Sequence, residues 1–61
     1  MKRYKIMYGF MSHRENTIEV VCKEQDVETI AFAIYRGYVG DNLGVLLVSD
    51  GEKEKILMDR M

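Results

Sequence analysis

A chain of 61 residues has room for one small domain, residues 1–61, and no second one. Its 9 basic and 10 acidic side chains leave a net charge of −1, which excludes a nucleic-acid coat held by sheer positive charge and a polyacidic tail. Apolar residues make up 48% and charged ones 31%, the balance of a globule and not of a disordered segment.

A domain this small buries only about 60% of the surface its unfolded chain exposes, so it needs an efficient core, a disulfide, a metal or a second chain. Cys22 is the sole cysteine, so no intrachain disulfide is expected, and a reducing compartment such as the cytoplasm fits. His13 and Cys22 cannot supply the four ligands of a structural zinc, and no metal or cofactor is expected. The apolar stretch after Lys5 meets Ser12, His13, Arg14 and Glu15 before a signal-peptide core is complete. Leu43 to Val48 falls far short of the ~20 residues that cross a bilayer, so no membrane association is expected.

Residues 3–11 predict a strand. Tyr4, Ile6, Tyr8 and Phe10 share one face, and Arg3, Lys5, Met7, Gly9 and Met11 the other. After a polar loop at 12–16, residues 17–23 alternate again, with Ile18, Val20 and Cys22 on one side. Two such runs predict an antiparallel hairpin. Charge agrees: residues 1–14 carry Lys2, Arg3, Lys5 and Arg14 and no acid, while residues 15–28 carry five acids against Lys23. Those acids raise the idea of a surface imitating DNA, although a solvated charged face explains them as well.

A helix over 27–37 follows, with Asp26 as N-cap and Glu28 in the first turn. Val27, Ile30, Ala31, Ile34 and Tyr38 form its apolar stripe. Gly37 or Gly40 supplies the stop. Phe32 lies off that stripe, which makes it a candidate anchor for another chain or a contact with a loop. The glycines at 37, 40 and 44 lack the strand-before, helix-after setting, the lysine and the Ser/Thr of a phosphate-binding loop, so an α-to-β connection is expected.

Val45 to Val48 is apolar on both faces, and such a strand wants cover on both sides. One helix covers one face, so a second copy of the chain is the expected cover for the other. Ser49-Asp50-Gly51-Glu52 fits either a type I′ turn into a last strand over 53–58 or a capping box opening a helix toward Met61. The hairpin is preferred. The fold expected is α+β: a small, mostly antiparallel β-β-α-β-β sheet with one helix packed on one face.

Catalysis is not expected. His13 is the lone imidazole, in a loop beside Ser12, Arg14 and Glu15, and Cys22 lies on an apolar face without a positive neighbour on its side. The expected function is a small non-catalytic, intracellular protein-interaction module of inhibitor or adaptor type, acting as a homodimer on a protein partner. Its contact residues are expected to be Met7, Met11, Phe32, Leu46 and Val48. The alternative is a single-stranded nucleic-acid binder, with Lys2, Arg3, Tyr4, Lys5 and Tyr8 forming a stacking platform with a basic border.

Overall fold

Alternation along the first strand decides which side of the sheet the helix takes. The computed structural model describes residues 1–59. Its elements are β1 (Lys2–Phe10), β2 (Asn16–Cys22), α1 (Glu24–Val39), β3 (Gly44–Ser49) and β4 (Glu54–Asp59). The four strands form one sheet in the order β2-β1-β3-β4, and every neighbouring pair is antiparallel. The expected β-β-α-β-β order and the single helix packed on the sheet are therefore present. Residues 60–61, the end of the segment for which a helix was the other choice, lie outside the described residues.

The helix packs on Tyr4, Ile6 and Cys22 of the hairpin and Leu46 and Val48 of β3, through Val27, Ala31, Tyr35 and Val39. Those four helix positions are spaced by four residues, so the buried stripe is rotated from the expected one. Tyr35 replaces Tyr38 in the core, and Ile30 and Ile34 are only half-buried. The helix also starts earlier than expected. Lys23 is its N-cap, with no side-chain cap bond, and Asp26 lies in the first turn. Glu24 and Asp26 offset the positive end of the dipole there, so an Asp cap is not required. At the other end Gly37 stays helical, and Gly40, at φ 61°, makes the stop.

On the face away from the helix, the register lines up Thr17, Met7, Leu47 and Ile56 across all four strands. The next row holds Glu19, Lys5, Ser49 and Glu54, so Lys5 stands opposite Glu19, as the charge pattern anticipated. Arg3 approaches Glu19 at 4.0 Å, an exposed pair that adds little stability.

This face corrects the expectation drawn from residues 45–48. Val45, Leu46, Leu47 and Val48 are all between 0% and 5% exposed within a single chain. Leu46 and Val48 lie under the helix. Leu47 is flanked in register by Met7 and Ile56, because β3 is an inner strand with β1 on one side and β4 on the other. Val45 pairs with Gly9, where the β1–β2 loop folds back so that the His13 carbonyl lies against the glycine. The chain thus shelters its own apolar run, and that run no longer calls for a second copy. Leu46 and Val48, expected as contact residues, are core side chains packed under the helix.

The last hairpin replaces the capping box. Asp50 Oδ1 accepts the amides of Glu52 at 2.9 Å and Lys53 at 2.8 Å, and the Asp50 amide donates to the Lys53 carbonyl at 3.2 Å. Positive φ occurs at Gly51 (97°) but not at Asp50, so the turn is not the type I′ arrangement expected. β4 then runs one residue later at each end than expected, with Leu57 as an extra, bulged residue opposite the Leu46–Leu47 step of β3.

The two amides at Asp50, Lys53 first and then Glu52, hold its carboxyl below the ordinary 3.8. A lowered pKa favours the folded form fully above the unfolded value, and that support disappears as pH falls through the folded one. Amide exchange at Glu52 and Lys53 is expected to accelerate only below the ordinary carboxylate range. In Asp50→Ala the same amides should exchange fast at neutral pH.

Candidate interaction surface

Because Phe10 pairs with Gly44, the β1–β2 loop and the α1–β3 connection meet at one end of the sheet. The Met11 amide donates to the Leu43 carbonyl at 2.9 Å and ties the two segments together. The Phe10 ring lies 4.9 Å from that of Tyr38, and Tyr38 meets Tyr8 edge-on at 5.4 Å. The Tyr38 hydroxyl donates to Glu15 Oε1 at 3.2 Å, and the Phe10 amide reaches the same oxygen at 3.4 Å. Phe10 and Tyr38, whose rings touch, and Met11 and Leu43, tied through their backbones, thus bring four large apolar residues to one end of the sheet. Their exposure runs from 37% at Phe10 to 54% at Met11. Ser12, His13, Arg14 and Asp41 are exposed around them.

Two local costs are concentrated here. Met11 holds φ at 55°, a conformation that residues with a Cβ rarely adopt. The Nδ2 of Asn16, at the base of the loop, is buried with no hydrogen-bond partner among the described residues. Unfavourable backbone and unpaired polar groups persist where surrounding structure fixes them, and they cluster at sites that act on other molecules.

Of the contact residues expected from sequence, only Met11 belongs to this patch. It lies in the turn after β1 and does not continue the strand that carries Met7. Met7 is half-buried between Thr17 and Leu47. Phe32 is half-buried against the core, with the Arg36 guanidinium 5.6 Å above its ring.

The five residues of the nucleic-acid platform are not brought together. Tyr4 is buried under the helix, and Tyr8 is half-buried with Tyr38 against its ring. Arg3 and Lys5 are exposed on the opposite face of the sheet from those rings. Lys2, at the start of β1, is exposed. Only Lys2 shares the face of those rings.

Sequence reasoning missed Phe10, Tyr38 and Leu43 as surface residues. Phe10 and Tyr38 sit on the apolar faces of their elements, and only the ends of those elements leave them uncovered. Leu43 carried a usable signal: a large aliphatic side chain among Asp41, Asn42 and Gly44 has no periodic partner to bury it.

No family model, no curated protein and no solved structure matches the chain. The surface must therefore be read from its own chemistry. Cys22 is buried in the core and His13 is exposed in the loop, so the sulfur and the imidazole are not neighbours in one pocket. Among the described residues no group of three His, Cys, Asp or Glu is placed to hold a metal ion, and no helix is long and apolar enough to cross a membrane.

Proposed function

We propose that the chain is a small non-catalytic protein-interaction module, of inhibitor or adaptor type, that docks a partner protein through Phe10, Met11, Tyr38 and Leu43. The observation carrying this reading is that four large, half-exposed apolar residues gather at one end of the sheet, Phe10 and Tyr38 in ring contact and Met11 and Leu43 joined through their backbones. Isolated exposed apolar residues are ordinary, but a contiguous group rimmed by polar side chains marks a contact surface. Covering the remaining exposed area would contribute roughly 1 kcal/mol per side chain, about half the value for complete burial.

Size makes the patch a centre and not the whole interface. A standard interface takes about 800 Å² from each partner, nearly a fifth of the 4342 Å² this molecule exposes. Ser12, His13, Arg14 and Asp41 would supply the polar rim, and aromatic Tyr38 and Phe10 the central anchors. The single buried thiol is compatible with work in a reducing compartment, the cytoplasm.

The test compares three forms of the chain, immobilised and exposed to extract from its own host. The wild type and Ile56→Lys, on the far face, should retain the same protein near one-to-one. Met11→Lys combined with Leu43→Lys should lose it while keeping a wild-type circular dichroism spectrum. Retention unchanged by the double substitution, or no stoichiometric partner for the wild type, would overturn the assignment.

A further inference from the structure

We propose that the free edge of β2 pairs with the β2 edge of a second copy of the chain, joining two four-stranded sheets into one of eight strands. The direction of the main-chain groups carries this first. The Phe10 amide reaches Glu15 Oε1 and the Phe10 carbonyl accepts the His13 amide, both on the β2 side, whereas the Met11 amide goes to the Leu43 carbonyl on the β3 side. These directions alternate along a strand, so Lys2, Tyr4, Ile6 and Tyr8 bond β2 through their register partners Cys22, Val20, Ile18 and Asn16. The N–H and C=O groups of Thr17, Glu19 and Val21 therefore point outward, and β2 ends the sheet with no described strand beyond it.

The two edges of the sheet are not alike. β4 carries Glu54, Lys55 and Asp59 and a bulge, devices that keep an edge from pairing. β2 holds a regular register against β1 and has neither lysine nor bulge, and its Val21 and Ile18 are 61% and 39% exposed. Beside it α1 leaves a half-open apolar row. Tyr38 meets Tyr8 and Glu15 of the first hairpin, while Glu28 meets Lys55 of β4, so Ile30 and Ile34, one and two turns before Tyr38, lie on the β2 side of the helix. Ile30, Ile34 and Val20 are only half-buried there.

A second copy of β2 answers what this edge presents. Outward main-chain groups call for another extended chain, and the copy offers the same three residues in the same alternation, so a two-fold axis matches donors to acceptors. With the axis at Val20, Glu19 stands opposite Val21 of the copy, Ile18 opposite Cys22, and Thr17 opposite Lys23, whose backbone is still extended at φ −75° and ψ 149°. No like charges face each other directly, and Lys23 of the copy lies diagonal to Glu19. The apolar rows of both copies, Ile18 and Val20 below and Ile30 and Ile34 above, then border one seam, with both helices on the same side. The seam takes fewer than the ~20 residues a side of a standard interface, so the pairing is weak and depends on concentration.

Sedimentation and amide exchange of the full chain, from low micromolar to millimolar concentration, test this. The chain should pass from monomer to dimer. The amides of Thr17, Glu19 and Val21 should slow severalfold at the upper end, while those of Ile18 and Val20 stay protected throughout. Val21→Pro removes an outward donor and no bond to β1, so it should keep the fold and lose the dimer. Ile18→Lys, a charge set into the apolar seam, should do the same. In a Cys22→Ser background, Val20→Cys should give a disulfide-linked dimer under mild oxidation, and Ile56→Cys should give none. A monomer at millimolar concentration, outward amides that stay fast, a dimer that survives both Val21→Pro and Ile18→Lys, or cross-linking at 56 in place of 20 would each overturn the proposal. Should a variant fail to fold, the alternating exchange pattern of the wild type still decides. The Met11→Lys, Leu43→Lys form should dimerise as the wild type does, so failure at the loop end is read separately.

Discussion

Leu46→Ala and Leu47→Ala are expected to destabilise the chain equally, by about 3 kcal/mol each in a urea titration. Leu46 points to the helix and is fully buried; Leu47 points the other way, where no helix lies, and is buried as well. A domain of this length has a total stability of about 3–9 kcal/mol, so either change should leave a large unfolded fraction at room temperature. The comparison between the two carries the argument. If the second face waited for another chain, Leu47 would be half-solvated in a dilute solution, and its truncation would cost well under 1 kcal/mol. Equal losses, unchanged by tenfold dilution, are the outcome of a sheet that covers its own inner strand.

Gly9→Ala should cost about 3 kcal/mol, the upper end of what overpacking does, although alanine ordinarily suits a strand better than glycine by 0.5–1 kcal/mol or so. A Cβ at this position would run into the His13 backbone carbonyl and crowd Glu15 Cγ at 3.1 Å. The carbonyl cannot rotate away as a side chain would, so the loop over residues 11–15 must lift. Lifting it gives up the His13 amide bond to the Phe10 carbonyl, at 3.0 Å, and loosens the Met11 link to Leu43. The same substitution should therefore abolish partner capture at the loop end while the strands still pair. A stabilised Gly9→Ala with intact capture would mean that the loop does not rest on the sheet.

Strand alternation made the first hairpin legible, because Tyr4, Ile6, Val20 and Cys22 could face only one core. The opposed charges of Lys5 and Glu19 agreed with the register. The helix was legible in place but not in phase. Val27 and Ala31 of the expected stripe are buried, but Ile30 and Ile34 are only half-buried, and Tyr35 and Val39 take the remaining core positions in place of Tyr38. Small Ala31 lets the helix approach the sheet, and intrinsic pattern does not report that distance. The strand at 45–48 misled for a related reason. Two apolar faces read as two partners, but an inner strand of a twisted four-stranded sheet is screened by its neighbours' side chains, here Met7 and Ile56.

The contact surface was the least legible part, since it consists of residues brought together from a strand end, a loop and a helix end. Phe10 and Tyr38 each follow the periodicity of a core residue. They are partly open because β1 stops at Phe10 and the helix at Val39, so each lies at the end of its element. Met11 was visible in the sequence for the right chemistry, an adaptable apolar side chain, but in the wrong place.

Site-specific photo-crosslinking in living cells of the host measures the central assignment most directly. A photoreactive leucine analogue at position 43 should give a single adduct with another protein, and the same analogue at position 56 should give none. An adduct from position 56 instead, or one from position 43 that contains only a second copy of this chain, would contradict it.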